Sequence, residues 1–121
     1  MKLQSNLPAW LCVAQGAYFL ATGIWPLVSI DTFQLVTGPK TDLWLVKTVG
    51  VLVGVIGVAL LLAARHPVER AVLLLAMGSA AGLLLIDVIY VSARVIAPIY
   101  LADAAIQLAL LICWAATSMR R

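Results

Sequence analysis

Residues 43–64 read LWLVKTVGVLVGVIGVALLLAA, and in this run of twenty-two residues one side chain, Lys47, carries a charge. About 20 mostly apolar residues form a helix long enough to cross a ~30 Å hydrocarbon core. The stretch is therefore a membrane span carrying one cation that its surroundings must accommodate, and the rest of the chain has to be read around that cation.

Three more runs of the same kind flank it. PAWLCVAQGAYFLATGIWPLVSI covers 8–30, AVLLLAMGSAAGLLLIDVIYVSA covers 71–93, and IYLADAAIQLALLICWAAT covers 99–117. Of the 121 residues, 64% are hydrophobic and 11% charged, against about 25% charged and just under half apolar in soluble domains. No polar segment exceeds a dozen residues, so residues 1–121 read as one domain of four transmembrane helices with no soluble domain. The first run is too long and too rich in aromatics (Trp10, Tyr18, Trp25) for a cleaved signal peptide. The expected fold class is all-α, an integral membrane antiparallel four-helix bundle.

Basic residues set the orientation. With four crossings, Lys2, Arg65, Arg70, Arg120 and Arg121 share one side, leaving Lys40 and Arg94 on the other. Lys and Arg accumulate on the cytoplasmic side, which puts both termini in the cytoplasm and points to a bacterial inner membrane. The loops RHPVER (65–70) and RVIAP (94–98) are too short for anything but tight turns between antiparallel neighbours. The connection DTFQLVTGPKTD (31–42) is longer and faces outward, with a turn at Gly38-Pro39 and Thr41 or Asp42 as N-cap of the second span. Its GPKT lacks the spacing of a Walker loop, and proline replaces a needed backbone donor.

At ~1.5 Å rise per residue, Lys47 lies about 7 Å below the outer end of its helix. Asp87 and Asp103 lie at similar depth in the third and fourth spans. An intramembrane charge costs on the order of 3 kcal/mol on insertion scales, so the three should face one another, with Lys47 as counter-ion of Asp87, Asp103 or both. Helical phase gives each span one polar stripe: Gln15, Tyr18, Thr22, Trp25 and Ser29; Lys47 with Gly50 and Gly54; Asp87, Tyr90 and Arg94; Tyr100, Asp103, Gln107 and Trp114. Four inward stripes make a polar outer vestibule over an apolar inner half. Pro26, unable to donate to the Thr22 carbonyl, should loosen the first helix at that level. The candidate ligand or ion site is thus Lys47, Asp87, Asp103, Arg94, Gln107, Tyr90, Tyr100, Thr22 and Trp25. A purely structural ion-pair role for these charges stands beside transport, ligand binding and catalysis.

Small residues form a second pattern. Gly50, Gly54 and Gly57, and Gly78 and Gly82, are candidates for close helix packing through G-x-x-x-G spacing. Gly78 and Gly82 lie nearly opposite Asp87, so their face points to lipid or another subunit. Cys12 and Cys113 lack C-x-x-C spacing and read as free thiols. The single histidine, His66, is on the far side from the aspartates, which excludes a His-based metal site or triad. No metal and no cofactor is expected. The net charge of +3 sits at the cytoplasmic ends, where insertion and anionic headgroups account for it without nucleic acid.

QGAYFLATGIWPL (15–27) followed by a short outer loop and DLWLVKTVGVLVGVIGVALLL (42–62) resembles, in layout, the small bacterial four-helix membrane proteins broadly of DoxX-like organisation. Some members of that group are partner subunits of quinone-dependent oxidoreductases, so the resemblance implies an accessory role and carries no site residues. The expected partners are the lipid bilayer and either a second copy or a membrane complex. A non-enzymatic accessory subunit or homo-oligomer whose polar cavity holds a small ligand, lipid headgroup or ion is the leading reading. A proton- or ion-coupled transporter using the intramembrane Asp and Lys, and an isomerase-like enzyme acting on a lipid-like substrate, are the alternatives.

Overall fold

The computed structural model describes residues 9–119, all of whose regular structure is helical: α1 Ala9–Val28, α2 Ile30–Thr37, α3 Leu43–Ala63, α4 Arg70–Ser92 and α5 Tyr100–Met119. Four of these, α1, α3, α4 and α5, are long and apolar enough to cross a membrane. α1 packs on α3 and α5, and α4 on α3 and α5, which closes a ring of four. The packings of α1 on α3 and of α4 on α5 are the extensive ones. Large apolar side chains such as Leu52, Val55, Leu74, Leu85 and Ile112 stand exposed on the outside of the ring, where a lipid-facing surface would place them.

The α1–α3 packing is closer than side chains allow. A Cβ built on Gly23 would lie 2.6 Å from the Gly50 carbonyl oxygen and the Gly54 nitrogen, and one on Gly57 would lie 2.6 Å from the Leu20 nitrogen and 2.7 Å from the Gly16 oxygen. Gly16 and Gly23 therefore face Gly57 and Gly50, each pair spaced by seven residues in opposed helices. Gly54 has open space where its own Cβ would be, yet its nitrogen and Cα lie 2.6 and 2.9 Å from a Cβ on Gly23, so its backbone shares the contact made by the glycine pairs of seven-residue spacing. Gly78 and Gly82 are exposed, and a Cβ on either meets nothing closer than the tip of Leu74, 4.0 Å from Gly78. Pro26 sits inside α1, with its Cγ 3.2 Å from a Cβ on Gly50, so its ring occupies room that a glycine leaves.

The apolar core lies at the end of the bundle nearest the termini. Leu11, Cys12, Leu60, Ala76 and Trp114 are buried there, closed from below by Val68 of the α3–α4 turn.

The other end is capped by α2, which replaces much of the loop expected over 31–42. The first span ends at Val28, and Ser29 takes a non-helical conformation (φ −146°, ψ 83°) as N-cap of α2. The Thr32 hydroxyl donates to Ser29 Oγ at 2.8 Å and receives the Trp25 Nε1–H at 3.0 Å, which folds α2 back over α1. Gly38 ends α2 at φ 96°, a conformation glycine adopts without a Cβ clash. Of the two expected N-caps of α3, Asp42 occupies the position, with no side-chain cap bond. α4 ends with Arg94 at φ 62°, a left-handed conformation that lets Val95 N–H donate to the Tyr90 carbonyl at 2.8 Å.

Candidate functional site

Beneath the α2 cap, α1, α4 and α5 bring together Tyr18, Asp87, Asp103 and Gln107. Asp103 Oδ1 accepts the Tyr18 hydroxyl and, at 3.2 Å, the Gln107 Nε2–H. Asp87 is buried on α4, which packs extensively on the α5 that carries Asp103. Asp87 is 4% exposed and Gln107 1% exposed. Asp87 Oδ2 and Gln107 Oε1 are both buried without a hydrogen-bond partner. The centre is thus rich in acceptors and short of donors: two carboxyls and an amide oxygen against one phenol and one amide N–H. An unsatisfied buried polar group costs about 1–3 kcal/mol, and a second buried carboxylate charge costs several kcal/mol more unless it is neutralised.

The lysine that opens the problem lies elsewhere. Lys47 is exposed on α3, and among the described residues it pairs with neither acid; Asp103 takes its hydrogen bonds from Tyr18 and Gln107 instead of the expected counter-ion. The face of α3 that meets α1 near the cap is the glycine face, with Gly50 against the Gly23 backbone and the Pro26 ring. Arg94 is exposed in its turn, and Tyr90 is exposed one turn before it, so neither joins the centre.

The remaining candidates build the cap and the helix rather than the acid centre. Thr22 Oγ1 donates back to the Tyr18 carbonyl at 2.9 Å, one turn below Pro26. Trp25 binds Thr32 and stacks edge-on against Phe33 at 5.2 Å. Tyr100, one turn above Asp103, lies under the ammonium of Lys40, which is 5.3 Å from its ring and 5.7 Å from that of Phe33. Lys40 Nζ also donates to the Gly38 carbonyl at 2.9 Å and to Thr37 O and Oγ1 at 3.1 Å. The cation of the cap is therefore Lys40. A lysine just past a helix C-terminus commonly reaches the last carbonyls, and that position was the available signal.

A second polar group closes the bundle below the acids. Gln15, fully buried, donates through Nε2 to the Ala76 carbonyl at 2.8 Å and accepts the Trp114 Nε1–H at 2.8 Å. It ties α1 to α4 and α5, with its amide oxygen and nitrogen both engaged. His66 is exposed at the far end, beside Glu69 in a recess of about 390 Å³. Among the described residues no three His, Cys, Asp or Glu side chains gather as a metal site.

Comparisons with family models, curated proteins and solved structures return no match.

Proposed function

We propose that the chain is a multi-pass protein of a bacterial inner membrane, with both termini cytoplasmic, that acts without catalysis as an accessory subunit or homo-oligomer. In this reading it holds a small donor ligand, either a lipid headgroup or an ion, at the Asp87–Asp103 centre. One observation carries the reading: Asp87 Oδ2 and Gln107 Oε1 are buried without a hydrogen-bond partner, while the half-buried Asp103 takes the donors that Tyr18 and Gln107 supply. A ligand that brings positive charge or N–H donors satisfies the excess acceptors. The proposed accessory role also agrees with the DoxX-like layout. The Gln15 latch favours binding over passage, because an amide engaged on both sides does not relay protons or ions toward the terminal end. A coupled transporter is the second reading, since an uncompensated intramembrane acid pair is the usual equipment for one.

Thermal unfolding of the protein in lipid nanodiscs, titrated with ammonium, sodium and ethanolamine, tests the binding reading. At least one probe should raise the melting temperature of the parent and not of Asp103→Asn. A flat response to all three, with no small molecule recovered from protein purified in native membranes, would remove it. Flux of a probe across proteoliposomes would favour the transporter instead, and a stoichiometric protein partner in the native purification would identify the accessory assembly.

A further inference from the structure

The outward side of α3 is apolar along its length except at one position. Trp44, Lys47, Val51, Val55 and Leu62 follow one another at helical steps of three, four, four and seven residues. All five are exposed, Trp44 at 69% and Val55 at 60%. The stripe stands outside the face that Gly50, Gly54, Gly57 and Leu60 bury. Lys47 interrupts it with a cation that, among the described residues, has neither an ion pair nor a hydrogen bond. The acid nearest in sequence, Asp42, precedes it by five positions, about 140° round an axis of 3.6 residues per turn. An unpaired charge on a lipid-facing surface is costly, so this ammonium needs an anion from outside the chain.

Helix geometry sets where that anion lies. Lys47 is the fifth residue of α3, about 6 Å below the first at the ~1.5 Å rise. Helical side chains lean toward the N-terminal end, so the stem rises past Trp44 to the end where α3 begins. Tryptophan collects at the headgroup level of a bilayer. From that end inward the stripe presents an indole, a cation and then apolar side chains, the order in which a phospholipid presents its headgroup, its phosphate and its acyl chains. A second copy of this chain offers no equivalent anion within its spans, because Asp87 is buried and Asp103 is bonded to Tyr18 and Gln107. We propose that this stripe is a phospholipid-binding site, in which Lys47 Nζ donates to the phosphate of an outer-leaflet lipid and an acyl chain lies along Val51 and Val55. A lone ammonium acts as a point charge, so it recognises the phosphate that phospholipids share. The site rests on the membrane-spanning reading above and not on a ligand at the acid centre.

Solid-state NMR of protein carrying ζ-¹⁵N lysine, in vesicles of phosphatidylethanolamine and phosphatidylglycerol, tests this through dephasing of the ammonium signals by lipid ³¹P. The parent should show a dephased signal that disappears in Lys47→Met and persists in Lys40→Met. A parent with no such signal would overturn the proposal without any variant having to fold, and so would one whose dephased signals all survive in Lys47→Met. Dephasing of the Lys47 signal by ¹³C-carboxyl aspartate or glutamate in place of phosphorus would also overturn it, and would show a protein acid, of this chain or of a partner, as the counter-charge. Retention of the protein in the same vesicles after alkaline carbonate washing reports insertion separately, so a missing phosphorus contact in an inserted protein counts against the site alone.

Discussion

Asp103 draws two donors onto a single oxygen, so substitutions around it differ sharply in consequence. Tyr18→Phe removes one donor and leaves the half-buried Asp103 carboxyl with less to hold it. Hydrogen bonds to charged groups contribute about 1.5–3 kcal/mol, and the variant should lose stability in that range in detergent unfolding, whereas parent-like unfolding would mean the phenol is not bonded. Gln15→Leu orphans the Trp114 indole and takes one donor from the Ala76 carbonyl, which Ser79 still bonds; at about 1–3 kcal/mol for the orphaned N–H, it should be a clearly destabilising change. Lys47→Met should fall within about 0.5 kcal/mol of the parent, as exposed substitutions usually do. A large loss there would restore the lysine as counter-ion. At this scale, the helical phase of the sequence marks Tyr18, Asp87, Asp103 and Gln107 as inward candidates. It does not say which of the stripe residues meet: Lys47 shares its phase with Gly50 and Gly54, yet it stands exposed while they are buried.

Among the elements, the α1–α3 pair depends on glycines that the sequence shows on only one side. Gly50 and Gly57 stand out in a valine-rich span, while Gly16 and Gly23 are scattered among polar and aromatic residues, and their shared spacing of seven becomes visible only when the two helices are laid against each other. Gly23→Ala puts a methyl 2.6 Å from backbone atoms of α3 that have no rotamer to yield. Overpacking of this kind costs about 1–3 kcal/mol, read as lost thermal stability. Gly54→Ala and Gly82→Ala meet no atom within 4 Å and should be neutral or gain up to about 1 kcal/mol from the helix propensity of alanine. Equal damage at Gly23 and Gly54 would contradict the seven-residue packing. α2 was legible too, through Ser29 as N-cap, Asp31 in the first turn and Gly38-Pro39 as stop. A reading that joins two membrane spans by the shortest loop passes over it. Its anchorage is testable: Lys40→Met removes the donor to Thr37 and Gly38 and the cation over Tyr100 and Phe33. That variant should speed proteolysis or hydrogen exchange in 30–40 while leaving α3–α5 protection unchanged.

For the molecule as a whole, length and hydropathy alone were sufficient for four helical spans, because a 20-residue apolar run has few stable alternatives to a helix. The ring order and the diagonal Gln15 tie were not available from the sequence, since apolar faces of similar composition do not specify their neighbours. In the proposed orientation, with its termini in the cytoplasm, the bundle holds the buried Asp87 and the half-buried Asp103 beneath an outward-facing α2 cap. Thiol labelling in intact cells tests it most directly, using single cysteines in a chain whose Cys12 and Cys113 are replaced by alanine. A membrane-impermeant maleimide should label Thr41→Cys, exposed beside the cap, and should reach His66→Cys, exposed in the α3–α4 turn, only after permeabilisation. Asp87→Cys should stay unlabelled in both conditions until the protein is denatured. Labelling of His66→Cys in intact cells with Thr41→Cys protected would reverse the orientation, and ready labelling of Asp87→Cys would mean that the acid centre is open to water rather than buried.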